Sequence, residues 1–284
     1  MRTTGPAPDA AAVWDVATPS RPGLLPGVRM AGFRARTPDP VDLTVVPYPA
    51  VTVAVDLGAG PLAVEDGDGV RHEGSVVLGL APGGVRGRGR QIDCLQLRLS
   101  PPVAHAVLGG CAEWGHAVVV PLGELWGREA GRTQERLRRA GSWEERFAIA
   151  ESVLGRRYEA GRRVDPEVAF VWERLVTHRG GVAVERLAAE AGWSRKRLWS
   201  RFRSQVGLGP KRAARLVRFD EAAHRLAAGR SPAQVAAEVG YADQSHLHRD
   251  VRTFAGVTPA AVAGAPWLAV DPVAWDAPGY LTRA

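Results

Sequence analysis

One internal repeat constrains the fold of this chain more than any other feature. Residues 184–210 read VERLAAEAGWSRKRLWSRFRSQVGLGP, and residues 232–259 read PAQVAAEVGYADQSHLHRDVRTFAGVTP. Leu187, Ala188, Glu190, Gly192 and Trp193 match Val235, Ala236, Glu238, Gly240 and Tyr241. After a one-residue insertion, Leu198, Arg203, Gly207 and Pro210 match Leu247, Arg252, Gly256 and Pro259. Each copy reads as helix, glycine turn, helix. Ala188 and Ala236 are small enough to let two helices approach, and Gly192 and Gly240 supply the left-handed residue of the turn. Ser231 is placed to cap the first helix of the second copy, with Pro232 at its first position. The intervening LVRFDEAAHRLAAGRSP brings Leu216, Phe219, Ala223 and Leu226 round at helical spacing and stops at Gly229, so one helix joins the two copies at fixed separation.

Charge is concentrated on the same block. The chain carries 37 Lys+Arg against 30 Asp+Glu, a net charge of +7. Residues 182–262 hold 14 basic and 7 acidic residues, so they account for the whole excess, and the remainder is neutral. That placement suits a surface for phosphates. Thirty-five of the basic residues are arginine, which codon bias could produce; codon bias does not explain the placement.

Two such units with this joining helix resemble the DNA-binding domain of the AraC/XylS family of bacterial transcription regulators. GYADQSHLHRDVRTFAGVTPAAV is similar to the family's signature for the second unit, with Gly240, Leu247, Gly256 and Pro259 in place. Val251 stands where the family usually has phenylalanine. The resemblance covers about residues 166–265, including the helix before the first unit. On a helical wheel, Leu198, Phe202 and Gln205 share the inner side of one second helix, as Leu247, Val251 and Phe254 do in the other. The resemblance implies that the opposite faces enter the major groove. The matching base-reading positions are Lys196, Trp199 and Ser200, then Gln244, Ser245, His248 and Arg249. Arginine can pair with guanine O6 and N7, and glutamine with adenine N6 and N7. Arg195, Arg197, Arg201, Lys211 and Arg212 are expected at phosphate, and Arg203 and Arg252 at phosphate more than at bases. Trp199 either meets a thymine methyl or sugar, or packs on the neighbouring helix. His246 lies off the outer face, as a structural residue. His246 and His248 point about 200° apart on a helix and cannot share a metal.

Residues 41–100 read as β. VTVAVDLG (51–58) and IDCLQLRLS (92–100) alternate, and the second places Leu95, Leu97 and Leu99 on one face. EDGDG (65–69) marks a turn between short strands, and GGVRGRGRQ (83–91) reads as a loop. These signals suggest a small antiparallel sandwich or barrel. Helical signals start near residue 101. Ser142 with Glu145 forms a capping box, and Asp165 with Pro166 opens a helix that stops at Gly180 and Gly181. GRRVD (161–165) is the linker. The predicted fold is α+β in two domains. A flexible N-terminus (1–25) precedes a β-rich domain (26–165) whose helical connector spans about 101–160. An all-α domain of two helix-turn-helix motifs and their linker helix (166–265) and a tail (266–284) follow.

The functional expectation is a cytoplasmic, sequence-specific DNA-binding regulator with double-stranded DNA as partner. The resemblance implies an activator more often than a repressor. It also allows RNA polymerase as a partner, a small-molecule effector at the N-terminal domain, and a homodimer. No run of 18 apolar residues exists, so no membrane partner is expected. Cys94 and Cys111 are expected as reduced, buried thiols. No cofactor or metal is called for: His72, His105, His116, His178 and His224 show no ligand spacing, and no phosphate-cradling glycine motif occurs. The rival is a metal- or cysteine-dependent enzyme domain fused to a DNA-targeting module, but neither cysteine has a neighbouring Cys–His pattern.

Overall fold

The computed structural model describes residues 14–36, 39–45, 47–60, 62–81, 83–110 and 118–265, with positions 268, 271, 274 and 275. Two antiparallel sheets build the N-terminal half. The larger runs β1 (Trp14–Ala17), β2 (Val28–Ala35), β9 (Asp93–Leu99), β4 (Val51–Asp56), β7 (Val76–Leu78) and β10 (Val119–Pro121). The smaller runs β3 (Val41–Val45), β8 (Val85–Gly89), β5 (Ala63–Glu65) and β6 (Arg71–Glu73). Leu95, Leu97 and Leu99 share one face of β9, as their alternation requires, in a core made with the helices. Cys94, Gln96 and Arg98 face the other way and line a cavity between the sheets. Both faces of β4 are covered, so all six of its residues are buried.

Three expectations change. The arginine- and glycine-rich stretch read as a loop contains β8, which pairs with β3 on one side and β5 on the other. Its arginines point outward, where Arg86 pairs with Asp42, and Arg88 with Asp42 and Glu65. The segment 1–25, expected to be loose, contributes β1, because Trp14 is buried against Phe33 with ring centroids 6.1 Å apart. The stretch 101–160 is not purely helical, since β10 returns to pair with β7. In the tail, for which no structure was expected, Leu268, Asp271, Ala274 and Trp275 are helical and buried. The EDGDG turn is observed, with Gly69 at φ 80° and its N–H donating to the Asp66 carbonyl.

The helices are α1 (Pro101–Leu108), α2 (Leu122–Trp126), α3 (Arg128–Arg139), α4 (Trp143–Ala160) and α5 (Pro166–Thr177). Then come α6 (Val184–Glu190), α7 (Arg195–Val206), α8 (Pro210–Ala227), α9 (Pro232–Val239), α10 (Gln244–Ala255) and α11 (Pro259–Ala263). The Ser142 cap forms, with its Oγ accepting from Glu145 N–H, but Glu145 reaches the N–H of Gly141 instead of Ser142, so the box is displaced by one residue. α1 lies between the halves and packs against α4, α5 and α7. The linker 161–165 is an extended segment with little slack: a Cβ on Gly161 would stand 2.2 Å from the Ala106 carbonyl oxygen. Gly180, after α5, has φ 72°, and a Cβ there would lie 2.1 Å from the Ala214 carbonyl oxygen on α8. Only glycine meets both demands.

Candidate nucleic-acid interface

Each repeat unit folds as two helices around a left-handed glycine, Gly192 at φ 68° and Gly240 at φ 79°. The second helix of each unit is fixed at both ends. Ser194 caps α7 by accepting from Arg197 N–H, and Asp243 caps α10 by accepting from His246 N–H at 2.7 Å. Gly207 and Gly256 close them in the left-handed conformation. Ser231 and Gln234 form a reciprocal capping box on α9.

Inner faces and outer faces separate cleanly. Leu198, Phe202, Gln205 and Val206 of α7 are buried, as are Leu247, Val251 and Phe254 of α10. Gln205 earns its burial by accepting the Asp165 N–H at 2.8 Å. Phe254 stacks on Phe219 of the joining helix α8, centroids 5.2 Å apart, and Leu216, Phe219, Ala223 and Leu226 are all buried. Lys196, Trp199 and Ser200 on α7, and Gln244, Ser245, His248 and Arg249 on α10, are all exposed. Trp199 is 52% exposed, with the Arg203 guanidinium 5.1 Å from its ring centroid. Gln244 and His248 touch one helical turn apart, Nε2 to Nε2 at 3.3 Å. His246 instead turns inward, its ring edge-on to Tyr241 at 5.3 Å.

The expected phosphate set is exposed as well, but not equally free. Lys196, Lys211, Arg212, Arg249 and Arg252 make no ion pair among the described residues. Arg195 pairs loosely with Glu185 at 3.2 Å, and Arg197 lies 4.6 Å over the Trp193 ring. Arg201 differs: its Nε and Nη2 donate to both oxygens of Asp165 at 2.6 and 2.7 Å. That fork ties α7 to the start of α5 and engages the Nε and Nη2 edge of the half-exposed Arg201. The same pair explains why Asp165, at the N-cap of α5, makes no side-chain cap. The Arg201 hydrogen bonds hold the Asp165 carboxyl below the usual carboxylate range.

Two positioning groups were not visible in the sequence. Asp250, fully buried on α10, accepts from Arg215 of α8 at 2.6 Å. Its place on the wheel, beside Leu247, Val251 and Phe254, was the available signal. The second group joins the halves. Asp271 of the tail accepts from Arg98 of β9 (2.9 Å) and Tyr48 (3.1 Å) with Oδ1, and from His224 Nε2 of α8 (3.1 Å) with Oδ2. His224 Nδ1 donates to the Asp220 carbonyl at 2.8 Å. Both ring nitrogens therefore face acceptors, which only the imidazolium satisfies. Burial disfavours that charge, but the Asp220 charge and the Asp271 hydrogen bond outweigh it and carry the pKa up to about 9. Burial would likewise raise Asp271, yet Arg98 and His224 hold its carboxyl below the usual range.

Burial pushes the Cys94 thiol up to about 12, so it is not a thiolate at neutral pH. Cys111 and His116 lie outside the described residues. Among the described residues no group of three metal-ligating side chains forms, and no helix is long and apolar enough to cross a membrane.

Residues 187–264 match the family described as a helix-turn-helix domain. No curated protein matches the chain. Among solved structures it is similar to ToxT from Vibrio cholerae O395, at 11% identity over 85% of this chain and 98% of that one, TM-score 0.47. It is also similar to the C-terminal domain of AraT, a response regulator from Geobacillus stearothermophilus, at 19% identity over 36% of this chain and 87% of that one, TM-score 0.34. The AraC-like transcriptional activator CuxR gives 18% identity over 68% and 81%, TM-score 0.26. At these scores the identity of the C-terminal block rests on the matched family and on the side-chain geometry.

Proposed function

We propose that this chain, whose residues 187–264 form an AraC-type helix-turn-helix domain, is a sequence-specific transcription regulator that sets α7 and α10 in successive major grooves, about 34 Å apart on one face of the duplex. One observation carries the reading: both helices are sealed on their inner sides and bare and polar on their outer sides, while one helix, α8, packs against both. Lys196, Trp199 and Ser200, with Gln244, Ser245, His248 and Arg249, read base edges. Arg195, Arg197, Arg203, Lys211, Arg212 and Arg252 contact phosphates and set the register.

The same reading makes the protein a cytoplasmic activator with RNA polymerase as a partner. Residues 166–265 are its DNA-binding unit, and residues 26–165 carry effector control and self-association. The apolar cavity between the sheets supports effector control, because one of its walls belongs to the strand that holds the tail.

Binding of the intact protein to its own upstream DNA and to random DNA, each at two salt concentrations, tests the proposal. Tighter binding upstream is expected, with a log–log salt slope of about −5 to −9 if six to ten phosphates are neutralised. Equal affinity for both DNAs removes sequence choice, and a slope near zero removes nucleic acid as the partner.

A further inference from the structure

The two repeat units differ where the second helix of each gives way to the next. In the second unit Thr258, just past the turn glycine Gly256, caps α11 by accepting from Ala261 N–H. The matching residue of the first unit is Gly209, which opens the 18-residue helix α8 with no side-chain cap. Nothing in the backbone calls for glycine there. Its φ of −71° and ψ of 154° are open to any residue, and serine would cap the helix better. What the missing side chain leaves room for is Trp199. A Cβ on Gly209 would stand 3.1 Å from the indole Nε1 and 3.5 Å from Cδ1. The Arg203 guanidinium, one turn further along α7, lies over the same ring. The second unit has His248 where the first has Trp199. One unit therefore carries the indole without the cap, and the other the cap without the indole.

We infer that Gly209 is a positioning residue: it seats the Trp199 indole with its one polar atom turned to the protein, and the ring so presented selects a thymine. The inference rests on the placement of α7 in the major groove under the proposed function. Tryptophan carries a single donor, Nε1, and no acceptor. With the Nε1 edge against Gly209 and one face under Arg203, the six-membered ring is what this half-exposed side chain offers a partner. That surface is hydrocarbon. Base edges in the major groove present donors and acceptors with one exception, the C5-methyl of thymine. A donor or acceptor facing the ring would lose water and gain no partner, whereas a methyl loses nothing by the contact. The three atoms nearest to a Cβ at position 209 all belong to the Trp199 ring. A side chain there displaces the exposed indole and leaves the backbone where it is.

Fluorescence anisotropy with the full chain tests this on two duplexes of its own upstream DNA, one with thymine and one with deoxyuridine at every thymine position. Deoxyuridine removes the methyl and keeps the base pairing. The uracil penalty is expected to be about fourfold larger in the wild type than in Trp199→Ala, the worth of one buried methyl. Equal penalties, as a contact to sugar would give, overturn the inference. Gly209→Ser is expected to keep or raise the melting temperature through the added cap, while its uracil penalty falls to that of Trp199→Ala. A lower melting temperature, or the wild-type penalty, overturns the positioning role. Random DNA as a third duplex separates the inference from the reading beneath it. Equal affinity for upstream and random DNA overturns both; tighter upstream binding with equal uracil penalties overturns the thymine contact alone.

Discussion

His224 makes the stability of the protein depend on pH in a window where an ordinary histidine is already neutral. Its pKa rises from 6.5 to about 9 in the folded chain, with Asp220 and Asp271 as the anions responsible. A group whose folded pKa is raised stabilises most below its unfolded pKa. That contribution is lost as pH climbs through the folded one. The window is therefore pH 6.5 to 9. Two and a half units at 1.36 kcal/mol each give an upper bound of about 3 kcal/mol. The imidazole side chain is 25% exposed, and solvent screening lowers the expected value to about 2 kcal/mol. Urea unfolding followed by tryptophan fluorescence at pH 6.5 and pH 9 measures it. The wild type should lose about 2 kcal/mol more across this interval than His224→Gln, which cannot titrate. Arg98 stays charged throughout and keeps Asp271 paired, so the difference belongs to His224. Parallel losses in the two proteins would refute the reasoning.

Arg249→Ala should cost about 1–3 kcal/mol on the cognate site if the arginine pairs with a guanine, and less on random DNA, as comparative binding isotherms would reveal. An equal loss on both would assign Arg249 to phosphate. Asp250→Ala should lower stability by about 1–3 kcal/mol, because Arg215, itself partly exposed, loses its carboxylate partner; chemical denaturation reports it, and a loss under about 0.5 kcal/mol would mean that the pair contributes little. Gly180→Ala should lower the melting temperature through both its positive φ and its clash with the Ala214 carbonyl, whereas Gly69→Ala, also at positive φ but in open space, should lower it less.

The helix-turn-helix units were legible because their determinants are local. Turn glycines, capping residues and a 3.6-residue apolar period all lie within a dozen residues of one another. The wheel placed Leu247, Val251 and Phe254 inside without knowledge of what covers them. The sheets were legible only in part. The leucines of β9 announced one buried face, but the burial of Arg98 depends on a second sheet and a tail that arrive from elsewhere in the chain. β8 looked like a loop because Gly87 and Gly89 have low strand propensity; two neighbouring strands supply the hydrogen bonds that override it. Asp271 gave no signal at all, since an acidic residue in a proline-containing tail has no partner within reach of a local window. The outward charges of Arg195 and Arg249 read alike in sequence, and only the fold separates them from Arg201, whose carboxylate partner lies 36 positions earlier.

The contact between Arg98 and Asp271 joins groups 173 positions apart on one chain. Its equilibrium is unimolecular. Once parted, the two groups remain tethered at an effective concentration fixed by the chain between them, which for flexible links is of the order of millimolar. Dilution does not dissolve such a contact, as it would an equivalent contact between subunits. The fraction of molecules with the tail docked is therefore the same in a cell holding ten copies as in one holding ten thousand, and only a ligand, a proton or a substitution can move it.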